Sequence, residues 1–108
     1  MRIELLWWEG CPSYPEAREQ LRQVLREEGH DPDSVQLVEI ESDEQAERER
    51  FFGSPTIRID GEDAIPPGEG DPVGLSCRVY RLRDGRPSPI PDVDDLREAV
   101  RRSAYATR

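Results

Sequence analysis

The sequence predicts an α/β fold in which strands and helices alternate, with a mixed sheet and one long loop before the last strand. Short apolar blocks of strand length alternate with stretches whose apolar residues recur at helical spacing. Glycine, proline and aspartate separate these blocks at regular intervals. A length of 108 residues is that of one domain able to bury about two-thirds of the surface its unfolded chain exposes. Residues 1–108 are therefore read as a single domain without an internal linker.

The first element, residues 3–8, is nearly continuous apolar sequence and suits a strand buried on both faces, broken by Gly10-Cys11-Pro12. In residues 15–28, Ala17, Leu21, Val24 and Leu25 fall on one helical face among charged residues, and Gly29 supplies the stop. Ser13-Tyr14-Pro15-Glu16 has the form of a capping box for this helix, with Glu16 as a capping residue. Residues 35–40 are β-branched and apolar enough for a second buried strand. Ser42-Asp43-Glu44-Gln45 is a second capping box, opening a short helix through about residue 52 that Gly53 ends.

Residues 54–59 alternate apolar and polar up to the turn pair Asp60-Gly61, as a strand entering a hairpin does. The partner strand is not expected directly afterwards. Residues 62–76 carry three prolines and three glycines and are predicted to form a loop without regular structure, of a length that is uncommon in compact domains and often functional. The fourth strand is placed at residues 77–82. Asp92 then caps a last helix with Leu96, Ala99, Val100 and Ala104 on one face. The first two strands, joined by a helix, are expected to be parallel, and the last two antiparallel.

With 24 acidic against 15 basic residues and a net charge of -9, the average field repels phosphate backbones and anionic headgroups. Nucleic acid and membrane partners are not expected. All the basic residues are arginine, which reads as a compositional bias of the source genome rather than a site. No run approaches the roughly 18 apolar residues of a membrane span, and residues 1–4 lack a signal-peptide plan, so a cytoplasmic location is expected. Cys11, Cys77 and the only histidine, His30, do not form the spaced pairs of a zinc site. No metal site and no cofactor are predicted. His30 reads as a solvent-facing turn residue and the acidic run 39–49 as a solvated face.

The element order and two local motifs resemble the thioredoxin-like superfamily. The first motif is Trp8-Glu9-Gly10-Cys11-Pro12-Ser13-Tyr14, between a buried strand and a helix, where that family carries a Trp-Cys-x-x-Cys sequence or a single-cysteine variant. The second is Gly53-Ser54-Pro55-Thr56 at the start of the third strand, where the family has a cis proline facing the active cysteine. The resemblance covers nearly the whole chain. It implies a four-stranded sheet in the order second, first, third, fourth, with helices on both faces. It also implies that Pro55 leaves neighbouring backbone groups free for a peptide-like substrate, with Trp8, Pro12, Ser13, Tyr14, Ser54 and Thr56 framing the groove.

A helix N-terminus favours a thiolate, because unpaired N–H groups and the helix dipole stabilise negative charge. Cys11 is placed for that, although Tyr14 occupies the position of a local resolving cysteine, and the capping box at Ser13 sets the thiol slightly outside the helix. Glu9 opposes ionisation. Cys11 therefore reads either as a nucleophile or as a small residue in a tight turn, and Pro55 either as a groove former or as a turn former. One of Trp7 and Trp8 is expected in the core, with the other shielding Cys11. Cys77 reads as a small hydrophobe buried in a strand. In the simplest topology it lies far beyond disulfide reach of Cys11, unless the loop 62–76 carries it back over the active end.

The leading expectation is a thiol protein using Cys11 in thiol–disulfide or peroxide chemistry, with Ser13 or Tyr14 donating to the thiolate. Its partners would be glutathione or a protein thiol, and it would be a monomer or weak dimer. Two alternatives stand beside it. One is a non-catalytic binding module presenting the Pro55 groove or the long loop. The other follows a general resemblance to thioredoxin-like proteins labelled alkylmercury lyase, carried by Leu75-Ser76-Cys77-Arg78-Val79-Tyr80. There Cys11 and Cys77 would bind mercury, with Glu9 or Glu16 as proton donor.

Overall fold

A computed structural model describes the backbone of residues 1–106 and the side chains of residues 1–104. Strand β1 (Ile3–Trp7) lies inside a four-stranded mixed sheet of order β2-β1-β3-β4. It runs parallel to β2 (Val35–Glu39), with Ile3 opposite Val35 and Trp7 opposite Glu39. It runs antiparallel to β3 (Thr56–Ile59), with Ile3 opposite Ile59 and Leu6 opposite Thr56. The apolar run of β1 is explained by this position, since Ile3 and Leu5 enter one core and Leu6 the other. Strand β2 is an edge strand rather than a strand buried on both faces, and Leu37 is exposed.

The fourth strand of the sheet, β4 (Glu62–Asp63), differs from expectation. Asp60 and Gly61 both have positive φ, 52° and 85°, the conformation of a tight two-residue hairpin turn. The chain therefore pairs back at once, with Asp63 opposite Arg58. Pro66 and Pro67 follow closely and have no N–H with which to continue a ladder. Of the strand expected at residues 77–82, only β5 (Tyr80–Arg81) forms a ladder, and its partner is β6 (Pro87–Ser88) in a separate hairpin. The irregular loop accordingly runs between β4 and β5, and the segment that follows it is not part of the main sheet.

Helices cover both sheet faces. Helix α1 (Tyr14–Glu27) buries Ala17, Leu21, Val24 and Leu25 together with Leu96, Ala99 and Val100 of α3 (Val93–Ala106) against Ile3, Leu5, Ile57 and Ile59. On the opposite face Leu6 packs with Ile40, with Ala46 of α2 (Asp43–Glu49) and with Phe51, and Val73 and Leu75 of the long loop cover this second core. That contact ties the loop to the sheet. No helix among the described residues is long and apolar enough to cross a membrane.

The helix ends decide where the site residues fall. Ser13 precedes α1 with φ −86° and ψ −9°, already helical, and its side chain makes no capping bond. The expected capping box is therefore absent, because a capping hydroxyl reaches the N–H groups ahead of it from extended angles. Ser42 has those angles, and its hydroxyl accepts from the Gln45 N–H at 3.1 Å. Gln45 reaches back to the Glu41 N–H at 2.9 Å, one residue before the cap. Helix α2 ends earlier than residue 52, where Arg50 turns left-handed with φ 52° and sends Phe51 into the core.

Candidate functional site: two cysteines at Ser54

After β1 the chain turns sharply, and the Cys11 N–H donates to the Trp8 carbonyl at 3.0 Å. Gly10 leaves room in that turn for the Trp8 ring, which a Cβ there would approach to 2.3 Å and force to shift. Trp7 stacks on Tyr14, with ring centroids 4.3 Å apart. Cys11 precedes the Ser13 cap, outside α1, and is only 1% exposed. Its Sγ donates to the Ser54 carbonyl at 3.3 Å. Among the described residues, no hydrogen bond joins it to the Ser13 hydroxyl or the Tyr14 hydroxyl, the donors expected from the sequence.

The Ser54–Pro55 peptide is cis, and Ser54, Pro55 and Thr56 are buried. The Ser54 hydroxyl accepts from the Trp8 N–H at 3.0 Å, and the Thr56 hydroxyl donates to the Gly53 carbonyl at 2.6 Å. The backbone of Ser54 is not left open for a substrate. Its N–H donates to the Ser76 carbonyl and its carbonyl accepts from the Arg78 N–H, both at 2.8 Å. These two bonds make a parallel bridge between Ser54 and Cys77. The chain's own segment 76–78 thus takes the place expected for a peptide-like substrate.

Cys77 is exposed, not the buried strand residue that the sequence suggested. The long loop has carried it back to Ser54, whose carbonyl also accepts the Cys11 thiol. Interaction with the Cys11 thiol, the partial burial of the sulfur and the charge of an ionised Cys11 push the Cys77 thiol up to about 11. The approach is close because Gly53, at φ 118°, has no side chain, and a Cβ there would sit 2.9 Å from the Arg78 nitrogen.

Of the other residues singled out from the sequence, Pro12 is exposed on the turn beside Cys11, while Trp8, Ser13 and Tyr14 are partly buried. Glu9 and Glu16 are exposed. Beside Cys77 lies a shallow hollow of about 270 Å³, bordered by Val79, Pro87, Ser88 and Pro89. A larger hollow, about 550 Å³, lies between the end of α2 and the β3–β4 hairpin and touches neither sulfur. The described residues contain no group of three or more His, Cys, Asp or Glu side chains arranged for a metal ion.

Sequence reasoning missed Tyr80. Its hydroxyl donates to the Pro55 carbonyl, tying β5 to the cis peptide. Burial pushes that hydroxyl far above its ordinary range, against the opposing pull of Arg78, so it stays protonated as a donor. Burial alternates through Cys77-Arg78-Val79-Tyr80, with Arg78 and Tyr80 buried and Cys77 and Val79 exposed. That is the reverse of what the apolar character of Cys77 and Val79 suggests, so the sequence carried no signal for Tyr80. Compared with known proteins, the chain matches no family model, no curated protein and no solved structure.

Proposed function

We propose that this chain is a thioredoxin-like thiol–disulfide protein whose working unit is the Cys11–Cys77 pair. The observation that carries the reading is the Ser54–Cys77 bridge, which puts an exposed sulfur beside a buried one. The fold reading is supported by the sheet order, by α1 and α3 sharing one face with α2 on the other, and by cis-Pro55 at the Cys11 end of β3.

Exposure assigns the roles. The small thiolate fraction of Cys77, whose thiol is pushed up to about 11, attacks a disulfide R–S–S–R, so that the first step is slow near neutral pH and quickens as pH rises. A Cys77–S–R mixed disulfide forms and one R–S⁻ is released. Cys11 is the nucleophile of the second step. Its thiolate attacks the Cys77 sulfur, closes the Cys11–Cys77 disulfide and expels the second R–S⁻. Two protein thiols are oxidised, one disulfide is reduced and two protons are released. The substrate class is glutathione disulfide or a protein disulfide, met by a monomer in the cytoplasm, where free thiols persist.

Incubation with glutathione disulfide tests the reading. The parent should yield two glutathiones and a protein lighter by two hydrogens, whereas Cys11→Ser should stop at a stable Cys77–glutathione adduct. A stable glutathione adduct on the parent would refute the resolving role.

The anchoring of both cysteines at Ser54 also supports a second reading, capture of mercury by two thiolates. It predicts a one-to-one mercury complex that either single Cys→Ser variant weakens, and equal affinity in the variants would remove it. A binding partner at the Pro55 groove, by contrast, would have to displace residues 76–78 to reach the Ser54 backbone.

A further inference from the structure

Cys77 and Val79 stand two residues apart on the exposed side of a segment whose intervening residue, Arg78, is buried. Alternate residues of an extended chain share a face and lie about 7 Å apart. Val79 is 65% exposed, more than any other large hydrophobic side chain among the described residues. One exposed valine is ordinary by itself. This one, however, joins Cys77, Pro87 and Pro89 in bordering the hollow of about 270 Å³.

The walls offer little to a charged or polar ligand. The Arg78 guanidinium is held over the Tyr80 ring and on the Ile65 carbonyl, and the Ser88 hydroxyl accepts from the Ile90 N–H at 3.2 Å. Pro87 and Pro89 have no N–H, so an incoming strand finds no donor at either position. What remains is apolar surface bordered by a sulfur. Its volume of about 270 Å³ falls below the roughly 300–1,000 Å³ of small-molecule sites and suits a single side chain. Glutathione, by contrast, presents carboxylates and no apolar side chain. In a chain of net charge -9, a hollow without a free cation does not favour it.

We propose that this hollow receives the apolar side chain next to a cysteine in the disulfide of a partner polypeptide, and so directs that disulfide onto Cys77. The inference rests on the reading of Cys77 as the attacking thiol and narrows its substrates to disulfides flanked by residues such as leucine or phenylalanine. Val79, Pro87 and Pro89 set the specificity. The bonds made and broken are those of the exchange already given, with the two protein thiols as the reductant.

The test compares three disulfides, those of acetyl-Cys-Leu-amide, acetyl-Cys-Ser-amide and glutathione, at one mildly alkaline pH. Each second-order rate of thiol release is divided by the rate of the same disulfide with free N-acetylcysteine, which removes intrinsic reactivity. The parent should prefer the leucyl disulfide to the seryl one by about tenfold, the effect of burying part of one apolar side chain, and to glutathione disulfide by at least as much. Val79→Ser should bring the leucyl-to-seryl ratio most of the way to one, and Val79→Ile should keep it. Val79 lies outside the core, so both substitutions leave the fold intact. Equal leucyl and seryl rates on the parent, or a preference that survives in Val79→Ser, would overturn the proposal and leave the thiol reading standing. Faster reaction with glutathione disulfide would do the same. Reaction with none of the three would remove the thiol reading itself, and the proposal with it.

Discussion

Cys77 stands in a parallel bridge with Ser54, the residue whose carbonyl also accepts the Cys11 thiol at 3.3 Å. One buried residue before a cis proline therefore organises both sulfurs, one through its carbonyl and the other through the strand-like segment it pairs with. The chemistry proposed for the pair depends on this arrangement, and so do the consequences below.

Because Cys11 is the main cause that pushes Cys77 up to about 11, Cys11→Ser should return the Cys77 thiol toward the ordinary ~8.5. Alkylation of Cys77 near pH 7 should then speed up about tenfold or more. The pH dependence of iodoacetamide labelling, read at the Cys77 peptide, checks this. An unchanged profile would show that the sulfurs do not interact.

The same shift couples to stability. A thiol whose folded pKa is raised contributes stability that is complete below its unfolded pKa and is lost as pH rises through the folded value. The reduced protein should lose stability between about pH 8.5 and about pH 11. Cys77→Ser should flatten that part of the melting-temperature curve, and a parallel decline in both proteins would contradict the linkage.

Gly53→Ala places a Cβ 2.9 Å from the Arg78 nitrogen at a φ of 118°. Strain of this kind costs about 1–3 kcal/mol. Urea unfolding should show that loss. The variant should also oxidise to the Cys11–Cys77 disulfide more slowly, because segment 76–78 is forced away from Ser54.

Tyr80→Phe removes the donor to the buried Pro55 carbonyl. An acceptor left unsatisfied costs about 1–3 kcal/mol, which chemical denaturation would report. If the stability were unchanged, β5 would not be anchored through this bond.

Much of the scaffold could be read from the residues. Leu21, Val24 and Leu25, and likewise Leu96, Ala99 and Val100, sit at helical spacing and are buried as that spacing requires. Ser54-Pro55-Thr56 was recognisable as a motif opposite Cys11. The fourth strand was not, because two residues carry no periodicity and the prolines after Asp63 mask the Asp60-Gly61 turn. The meeting of Cys11 and Cys77 was open in the sequence for a different reason. It depends on Gly53 admitting the Arg78 backbone and on Val73 and Leu75 packing onto the second core, contacts between residues far apart in the chain. Arg78 looked like one arginine among fifteen, and only its burial beside Tyr80 singles it out.

The most direct test of the central claim is non-reducing peptide mapping of the native protein after mild oxidation at low protein concentration. The account predicts a single intramolecular link between the Cys11 and Cys77 peptides, with both thiols lost together. Oxidation of Cys77 alone, to a sulfenic acid or an intermolecular disulfide while Cys11 stays reduced, would contradict it.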